Sequence, residues 1–252
     1  MFTLVPIDVE GEDVMELSKR FYLVVLVGLV LGLIGGTAMF LLTEVYSPFV
    51  CAIIVVFLLM GLNRFLHLDG LTDMGDGLMV LGDQERKMTV MKDSHIGAGG
   101  MAYAMLFTLL SVGALSGVGH DFYFLAPLTA EVMIKVSMVA CASVGDAKEG
   151  MGGIFVRNTD GNNLLIAVAL ALIIIVPAWI WLSPDWISAM GKTLTLVLIV
   201  LVTTITGAYV ARLAMKHFGC VNGDILGATN EIARPIVLLA ISGAIWAASY
   251  LH

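Results

Sequence analysis

Long apolar runs, separated by polar segments, make up most of the 252-residue chain. Their lengths are close to the roughly 20 residues that an α-helix needs to cross the hydrocarbon core of a bilayer. The pattern therefore predicts seven transmembrane helices, at about residues 21–42, 49–65, 99–118, 122–144, 164–182, 193–211 and 235–251. Two prolines, Pro48 and Pro235, are predicted to lie at helix starts, where a missing N–H has little effect.

The composition supports the same class. Hydrophobic residues make up 59% of the chain and charged residues only 13%, about half the charged fraction of an ordinary soluble domain. We therefore expect an all-α polytopic membrane protein, with residues 1–20 as a short cytoplasmic lead and 21–252 as one integral membrane domain. A net charge of −7 without a basic stripe argues against nucleic-acid binding. The three cysteines are too far apart to predict a zinc site or a disulfide framework.

The distribution of basic residues predicts the orientation. With a cytoplasmic N-terminus, the seven-helix pattern places 11 of the 13 Lys and Arg residues on the inner side of the membrane, as the positive-inside rule requires. The C-terminus then lies outside the cell membrane. The three long polar segments, about 66–98, 145–163 and 212–234, lie inside. We therefore expect the active site at the cytoplasmic face.

The first candidate site is the acidic stretch "HLDGLTDMGDG", residues 67–77. Asp69, Asp73 and Asp76 follow an i, i+4, i+7 spacing, which places all three within an arc of about 60° on one helix face. Carboxylates this close repel one another unless a cation lies among them. Because oxygen ligands favour hard cations, the pattern predicts Mg²⁺ or Mn²⁺, with a solvated acidic loop as the alternative. Asp83, in "LGDQERK", is instead predicted to cap a helix.

A second candidate is "MKDSHIGAGG", residues 91–100, directly before the third predicted transmembrane helix. The helix N-terminus would favour an anion beside Lys92, Asp93 and His95. An ordinary helix cap and turn is the alternative.

A third candidate is "GCVNGDILGATNEIARP", residues 219–235, where Asp224 and Glu231 share one helical face and Asn230 lies beside them. The alternative is a capped loop that leads into the last helix. Glu131 and Lys135, spaced i, i+4 inside the fourth predicted helix, are expected to interact with each other, because unpaired charges are costly at that depth.

In order along the chain, these segments resemble the cobalamin synthases, the membrane enzymes called adenosylcobinamide-GDP ribazoletransferases. The resemblance is carried by "HLDGLTDMGDG", "ERKMTVMKDSHIGAGG", "KEGMGGIF" and "GDILGATNEI". It covers most of the chain from about residue 60. The chain departs from the family pattern at His95 and Lys135, where Arg is more usual.

The resemblance implies a reaction in which the ribosyl hydroxyl of α-ribazole, or of its 5′-phosphate, attacks the cobinamide-side phosphorus of adenosylcobinamide-GDP. GMP leaves and Mg²⁺ assists. The expected metal ligands are Asp69, Asp73, Asp76 and Asp93. The expected catalytic residues are Asp69, Asp73, Asp76 and His67, with His67 or one aspartate as the base. Substrate contacts are expected from Lys92, His95, Asp224, Asn230 and Glu231.

Two other functions remain open from the residues. A CDP-alcohol phosphotransferase also binds metal through aspartates at helix ends, but its pattern has an Ala-Arg pair that does not follow Asp69 and Gly70 here. An ion-coupled transporter would use Glu131 and Lys135 in its ion path, although the chain shows no internal repeat. Membrane lipid is an expected partner, and an oligomer is possible.

Overall fold

The computed structural model describes residues 11–148 and 150–249. Part of the predicted N-terminal lead, residues 1–10, lies outside this description. The described residues form eleven α-helices: α1 Gly11–Lys19, α2 Val24–Leu42, α3 Pro48–Leu62, α4 Leu66–Met79, α5 Gln84–Met91, α6 Ala98–Ser116, α7 Leu125–Val144, α8 Met151–Arg157, α9 Gly161–Leu182, α10 Ala189–Phe218 and α11 Gly223–Ser249.

Six helical segments of the described chain are long and apolar enough to cross a membrane. These segments contain α2, α6, α7, α9, α10 and α11. Helices α3 and α4 together would make a seventh, but they meet at an angle of 93°. The expected all-α fold with about seven membrane-crossing segments is confirmed.

The last helix differs from its prediction. It begins at Gly223 rather than near residue 235, so Pro235 lies inside α11 and the predicted inner loop 212–234 is largely helical. The polar side chains of Asn230, Glu231 and Arg234 made this segment resemble a loop, yet all three are buried against other helices. Pro48 does lie in the first turn of α3, as predicted.

Helix α7 is the centre of the bundle and packs against α2, α9, α10 and α11. The membrane-crossing stretch of α7 is fully buried inside the protein, unlike that of any other helix in the described chain. Because its neighbours are helices rather than lipid, α7 tolerates charged side chains that a lipid-facing helix would not. This explains how Glu131 and Lys135 can lie in the middle of an apolar helix.

Helix α2 approaches α7 through three glycines spaced four residues apart, Gly28, Gly32 and Gly36. A Cβ atom at Gly36 would lie 2.5 Å from the backbone oxygen of Phe124, and one at Gly32 would lie 2.9 Å from the Cα of Leu128. Small residues at this spacing let two membrane helices come into backbone contact. The pair is therefore held by close packing along its length.

Gly36→Ala is expected to lower the free energy of unfolding by about 1–3 kcal/mol, because the added methyl group overpacks a contact with rigid backbone. The matched control is Gly113→Ala in α6, where an added Cβ meets no atom within 4 Å. Both changes bring the same gain in helix propensity, so only the contact differs. Thermal unfolding in detergent measures the difference. Equal stability of the two variants would contradict the packing explanation.

A sharp elbow separates α3 from α4. Two consecutive residues, Arg64 and Phe65, adopt left-handed backbone conformations with φ values of 55° and 58°. This conformation raises the free energy of a residue other than glycine by about 1–2 kcal/mol. The elbow turns α4 across the end of the bundle, where it packs against α5, α6 and α11.

Several polar segments meet at this end of the bundle, which we call the α4 end. Ala147 and Val221 form a parallel β-bridge, and the Val221 N–H donates to the Asp146 carbonyl at 2.8 Å. A Cβ atom at Gly152, in α8, would lie 2.2 Å from the backbone nitrogen of Gly223, where α11 begins. The segments that were predicted to lie inside the cell are thus in mutual contact around α4.

Candidate functional site at the α4 end

The three aspartates of the acidic stretch lie on α4, so the predicted helical face is confirmed. Asp69 is exposed, whereas Asp73 and Asp76 are half-buried. The negative charges that act on Asp73 come from Asp69, Asp76 and also Asp224, which belongs to α11. The structure therefore assembles four carboxylates from two helices, and we call Asp69, Asp73, Asp76 and Asp224 the acidic cluster.

Asp224 reaches the cluster because α4 and α11 touch through glycine. A Cβ atom at Gly70 would lie 2.4 Å from the Asp224 carbonyl oxygen and 2.9 Å from its Cα, so a larger residue would separate the helices. Asn222 then orients the carboxylate, since its side-chain N–H donates to Asp224 Oδ2 at 3.0 Å. The Asn222 Oδ1 also accepts from the Ile225 N–H at 3.0 Å. Sequence reasoning missed Asn222, although an Asn at a helix start is a recognisable capping signal.

Asp76 connects α4 to the start of α6. Its Oδ2 accepts a hydrogen bond from the Gly97 N–H at 2.7 Å, and its Oδ1 accepts from the Gly100 N–H at 2.8 Å. Side chains at Gly97 and Gly100 would collide with this carboxylate. A negative charge at a helix N-terminus is stabilising. Asp76 therefore has a structural role beside its predicted catalytic one.

The segment before α6 is only partly brought to the cluster. Lys92 is close enough to Asp224 for its positive charge to act on that carboxylate. Asp93 and His95 bind each other: Asp93 Oδ1 accepts from the His95 N–H at 3.0 Å and lies 2.7 Å from its Nδ1. These bonds hold the pKa of Asp93 below its usual value. The His95 side chain is 91% exposed.

Metal binding needs more ligands than these residues supply alone. In the described part of the chain, no three His, Cys, Asp or Glu side chains converge closely enough to hold a metal ion. Mg²⁺ usually takes only one or two carboxylates and completes its shell with water and substrate phosphate. The acidic cluster, whose exposed member Asp69 lies beside Asp73, fits that mode of binding.

His67 lies on the opposite side of α4 from Asp69, facing α11. It is buried, and a Cβ atom at Gly227 would lie 3.1 Å from its Cα. Within the described residues, its Nδ1 atom has no hydrogen-bond partner. Its predicted role as a base stays a prediction, and its burial favours a cluster carboxylate for that role.

Asn230 and Glu231 are buried in a polar network between α7 and α11. Lys135 Nζ donates to Asn230 Oδ1 at 2.5 Å, and Asn230 Nδ2 donates to Glu231 Oε1 at 3.0 Å. Arg234 pairs with Glu231 and also donates to Glu131 Oε1 at 3.0 Å. These contacts are structural, so the position of Asn230 and Glu231 does not favour the predicted contact with substrate.

The same network refines the expected interaction between Glu131 and Lys135, whose charges attract each other but whose hydrogen bonds go to other residues. The partner of Glu131 is Arg234, and the partner of Lys135 is Asn230. The i, i+4 spacing allowed a direct pair, but α11 supplies better-placed partners for both. Sequence reasoning missed Arg234 because the residue was assigned to an inner loop.

A cleft of about 630 Å³ opens beside Lys92. Helix α5, the end of α10 and the segment before α8 form its walls. Its lining includes Glu85, Thr89, Lys92, Lys148, Phe218 and Cys220. Asp83 caps α5 as predicted, since its Oδ1 accepts from the Arg86 N–H at 2.9 Å. Glu85 and Lys148 each begin a segment that carries the family resemblance, but neither received a role from the sequence, because only the fold brings residues so far apart in the chain to one cleft.

The family model described as cobalamin-5-phosphate synthase matches residues 1–242. A protein of Methanocella arvoryzae is 35% identical over 258 residues, covering 96% of this chain and 92% of its own length. One of Methanococcoides burtonii is 30% identical over 259 residues, covering 96% and 89%. One of Thermococcus onnurineus is 30% identical over 242 residues, covering 96% and 94%.

All three relatives carry the name adenosylcobinamide-GDP ribazoletransferase. No solved structure is detectably similar to this chain. The matches support the predicted resemblance over both alternatives, the CDP-alcohol phosphotransferase and the ion-coupled transporter. They extend over nearly the full length of the relatives and include the segments that meet at the α4 end. The chain is accordingly a member of the cobalamin-5-phosphate synthase family.

Proposed function

We propose that this protein is a membrane-bound transferase that joins adenosylcobinamide-GDP to α-ribazole, or to α-ribazole 5′-phosphate, and releases GMP. The observation that carries the proposal is the acidic cluster beside a lysine-lined cleft, in a chain of this family. A diphosphate substrate needs both features, because its negative charge must be neutralised while one phosphate leaves.

In the proposed reaction, the ribosyl oxygen forms a bond to the cobinamide-side phosphorus, and the bond from that phosphorus to the bridging oxygen of GMP breaks. Asp69 and Asp73 would hold Mg²⁺ together with water and substrate phosphate oxygens, with Asp224 beside them, and the ion would supply positive charge to neutralise the diphosphate. A cluster carboxylate takes the proton of the attacking hydroxyl. Lys92 binds a phosphate oxygen of the leaving GMP.

We also propose that the α4 end faces the cytoplasm of the cell. Arg234 and Lys135 are buried in the bundle and Lys192 lies at the opposite end, which leaves ten of the thirteen Lys and Arg residues at the α4 end. This asymmetry supports a cytoplasmic α4 end and N-terminus and an external C-terminus. Both substrates would then reach the site from the cytoplasm.

Cysteine labelling tests this orientation. The native cysteines, Cys51, Cys141 and Cys220, are all buried, so they give a low background. A membrane-impermeant maleimide applied to intact cells is expected to label Asp185→Cys, at the opposite end, and not Ser94→Cys, at the α4 end. Disrupting the membrane should expose Ser94→Cys. Labelling of Ser94→Cys in intact cells would reverse the proposed orientation.

The proposed activity is tested with the full-length protein purified in detergent. Supplied with adenosylcobinamide-GDP, α-ribazole and Mg²⁺, it is expected to form one GMP for each corrinoid product, as measured by chromatography. Chelation of divalent ions should stop the reaction, and added Mg²⁺ should restore it. Parallel reactions with α-ribazole 5′-phosphate identify the preferred acceptor. Absence of product with both acceptors would contradict the proposal.

A further inference from the structure

The cleft beside Lys92 has the properties of a nucleotide site, and the following inference rests on the proposed function. Its volume of about 630 Å³ falls in the usual range for small-molecule pockets. Met88, Phe218 and Cys220 are buried side chains that give it an apolar floor. A corrin ring is much larger than a nucleoside, so the cleft suits the nucleotide half of the substrate better than the corrinoid half.

One face of α5 runs the length of the cleft. Glu85, Met88 and Thr89 of α5 and Lys92, the residue that follows its last turn, all line it, at the i, i+3, i+4, i+7 spacing of a single helical face. At 1.5 Å per residue, Glu85 and Lys92 are separated by about 10 Å along the helix axis. That distance is close to the length of a purine nucleoside monophosphate from its base edge to its phosphate.

The positive end of the cleft lies next to the acidic cluster. Lys92 acts on the Asp224 carboxylate, and Lys92 and Lys148 both act on the Cys220 thiol from the cleft wall. Two lysines at one end favour an anionic group there. A phosphate bound at this end would therefore lie beside the carboxylates that carry out the transfer.

The opposite end of the cleft carries Glu85. An ionised carboxylate has two acceptor oxygens and no donor. Guanine presents two neighbouring donors, N1–H and the N2 amino group, whereas adenine presents an acceptor at N1. A carboxylate at this position would therefore favour guanine over adenine.

We propose that this cleft binds the guanine nucleotide half of the substrate, with Glu85 accepting from the guanine base and with Lys92 and Lys148 binding the phosphate. The base lies over the apolar floor, away from the acidic cluster. The phosphate that leaves as GMP lies at the lysine end.

The walls of this site are held together before any ligand binds. Gln84 Nε2 donates to the carbonyl oxygens of Met215 and Lys216 at 3.2 Å each, which fixes α5 to the end of α10. Lys87 Nζ lies 2.9 Å from His217 Nδ1. A site with fixed walls loses less free energy to ordering when its ligand binds.

The test is direct binding of GMP, IMP, AMP and α-ribazole 5′-phosphate to the full-length protein in detergent, measured by equilibrium dialysis with Mg²⁺ present. The wild type is expected to bind GMP more tightly than IMP, which lacks the N2 amino group, and AMP most weakly. Glu85→Gln keeps the size of the side chain but replaces an acceptor with a donor. It should weaken GMP binding about ten- to a hundredfold and reduce the difference in affinity between GMP and AMP.

Lys148→Met should weaken the binding of all three purine nucleotides by a similar factor, because it removes a phosphate contact and leaves the base contact intact. The matched controls are Glu44→Gln and Lys192→Met, which lie at the opposite end of the bundle and should bind GMP as the wild type does. The ratio of GMP to AMP affinity separates the two roles, since loss of folding would not change it selectively.

Three outcomes would overturn the inference: no preference for GMP over AMP in the wild type, an unchanged preference in Glu85→Gln, or an effect of Lys148→Met on α-ribazole 5′-phosphate but not on GMP. The last would assign the cleft to the acceptor substrate. Product formation by the wild type is measured separately. If the wild type forms product but does not prefer GMP to AMP, only the proposed nucleotide site is contradicted. If it prefers GMP but forms no product, only the proposed transferase activity is contradicted.

Discussion

Asp73→Asn is expected to reduce product formation by about a hundredfold or more, while the protein still inserts into the membrane and folds. Asn keeps the size of the side chain but removes a charged ligand from the centre of the acidic cluster. The loss of metal-assisted charge neutralisation would raise the barrier by several kcal/mol. Folding should not suffer, because Asp73 lies among three other carboxylates and its removal relieves repulsion between like charges.

The measurement is initial rate against Mg²⁺ concentration, in membranes with matched amounts of protein. Asp69→Asn is expected to behave in the same way, and high Mg²⁺ should restore part of the activity of at least one variant. Asp76→Asn should also lose stability, because Asp76 bonds to the start of α6. Asp83→Asn is the control, since Asn caps a helix about as well as Asp. Wild-type turnover in both Asp69→Asn and Asp73→Asn at limiting Mg²⁺ would rule out the metal role.

Arg234→Met is expected to destabilise the bundle by about 3–5 kcal/mol, the typical effect of removing one partner of a buried ion pair. The Arg234 side chain is 1% exposed and contacts two carboxylates, Glu131 and Glu231. Its loss would leave both acids facing Lys135 as the one remaining cation of the network. Thermal or denaturant unfolding in detergent measures the change.

A double variant distinguishes charge balance from lost packing. Adding Glu131→Gln to Arg234→Met leaves one acid, Glu231, with one base, Lys135. The double variant should therefore be more stable than Arg234→Met alone, because the uncompensated charge is gone. If the two changes instead destabilise additively, or Arg234→Met has almost no effect, the buried network does not hold α7 against α11.

Much of the architecture could be predicted from hydropathy and helical periodicity. The membrane-crossing segments could be predicted because a bilayer requires helices of a certain length. Such helices are visible in the sequence as apolar runs of that length. The acidic face of α4 was predicted because three carboxylates at i, i+4 and i+7 share a face in any α-helix. The Asp83 cap could also be predicted from the local sequence, because a capping side chain bonds to the first turn of its own helix.

Contacts between helices could not be predicted in this way. Asp224 joins the acidic cluster because Gly70 lets α4 and α11 touch. The charges of Glu131 and Lys135 act on each other as expected, but α11 brings Arg234 and Asn230 to α7 as their hydrogen-bond partners, which the spacing could not predict. The same burial explains the misplaced start of α11, whose polar residues lie in the protein interior rather than in solvent.

The sequence by itself determined the class of the protein, the positions of most membrane-crossing helices and the family resemblance, since each depends on residues that are close in the chain. Only the tertiary structure decided which polar groups act together. It joined Asp224 to the α4 aspartates, turned Asp76 toward α6, and placed Lys148 across a cleft from Glu85. The physical reason is that periodicity specifies which face of a helix a residue occupies, whereas the packing of helices at the α4 end decides what that face meets.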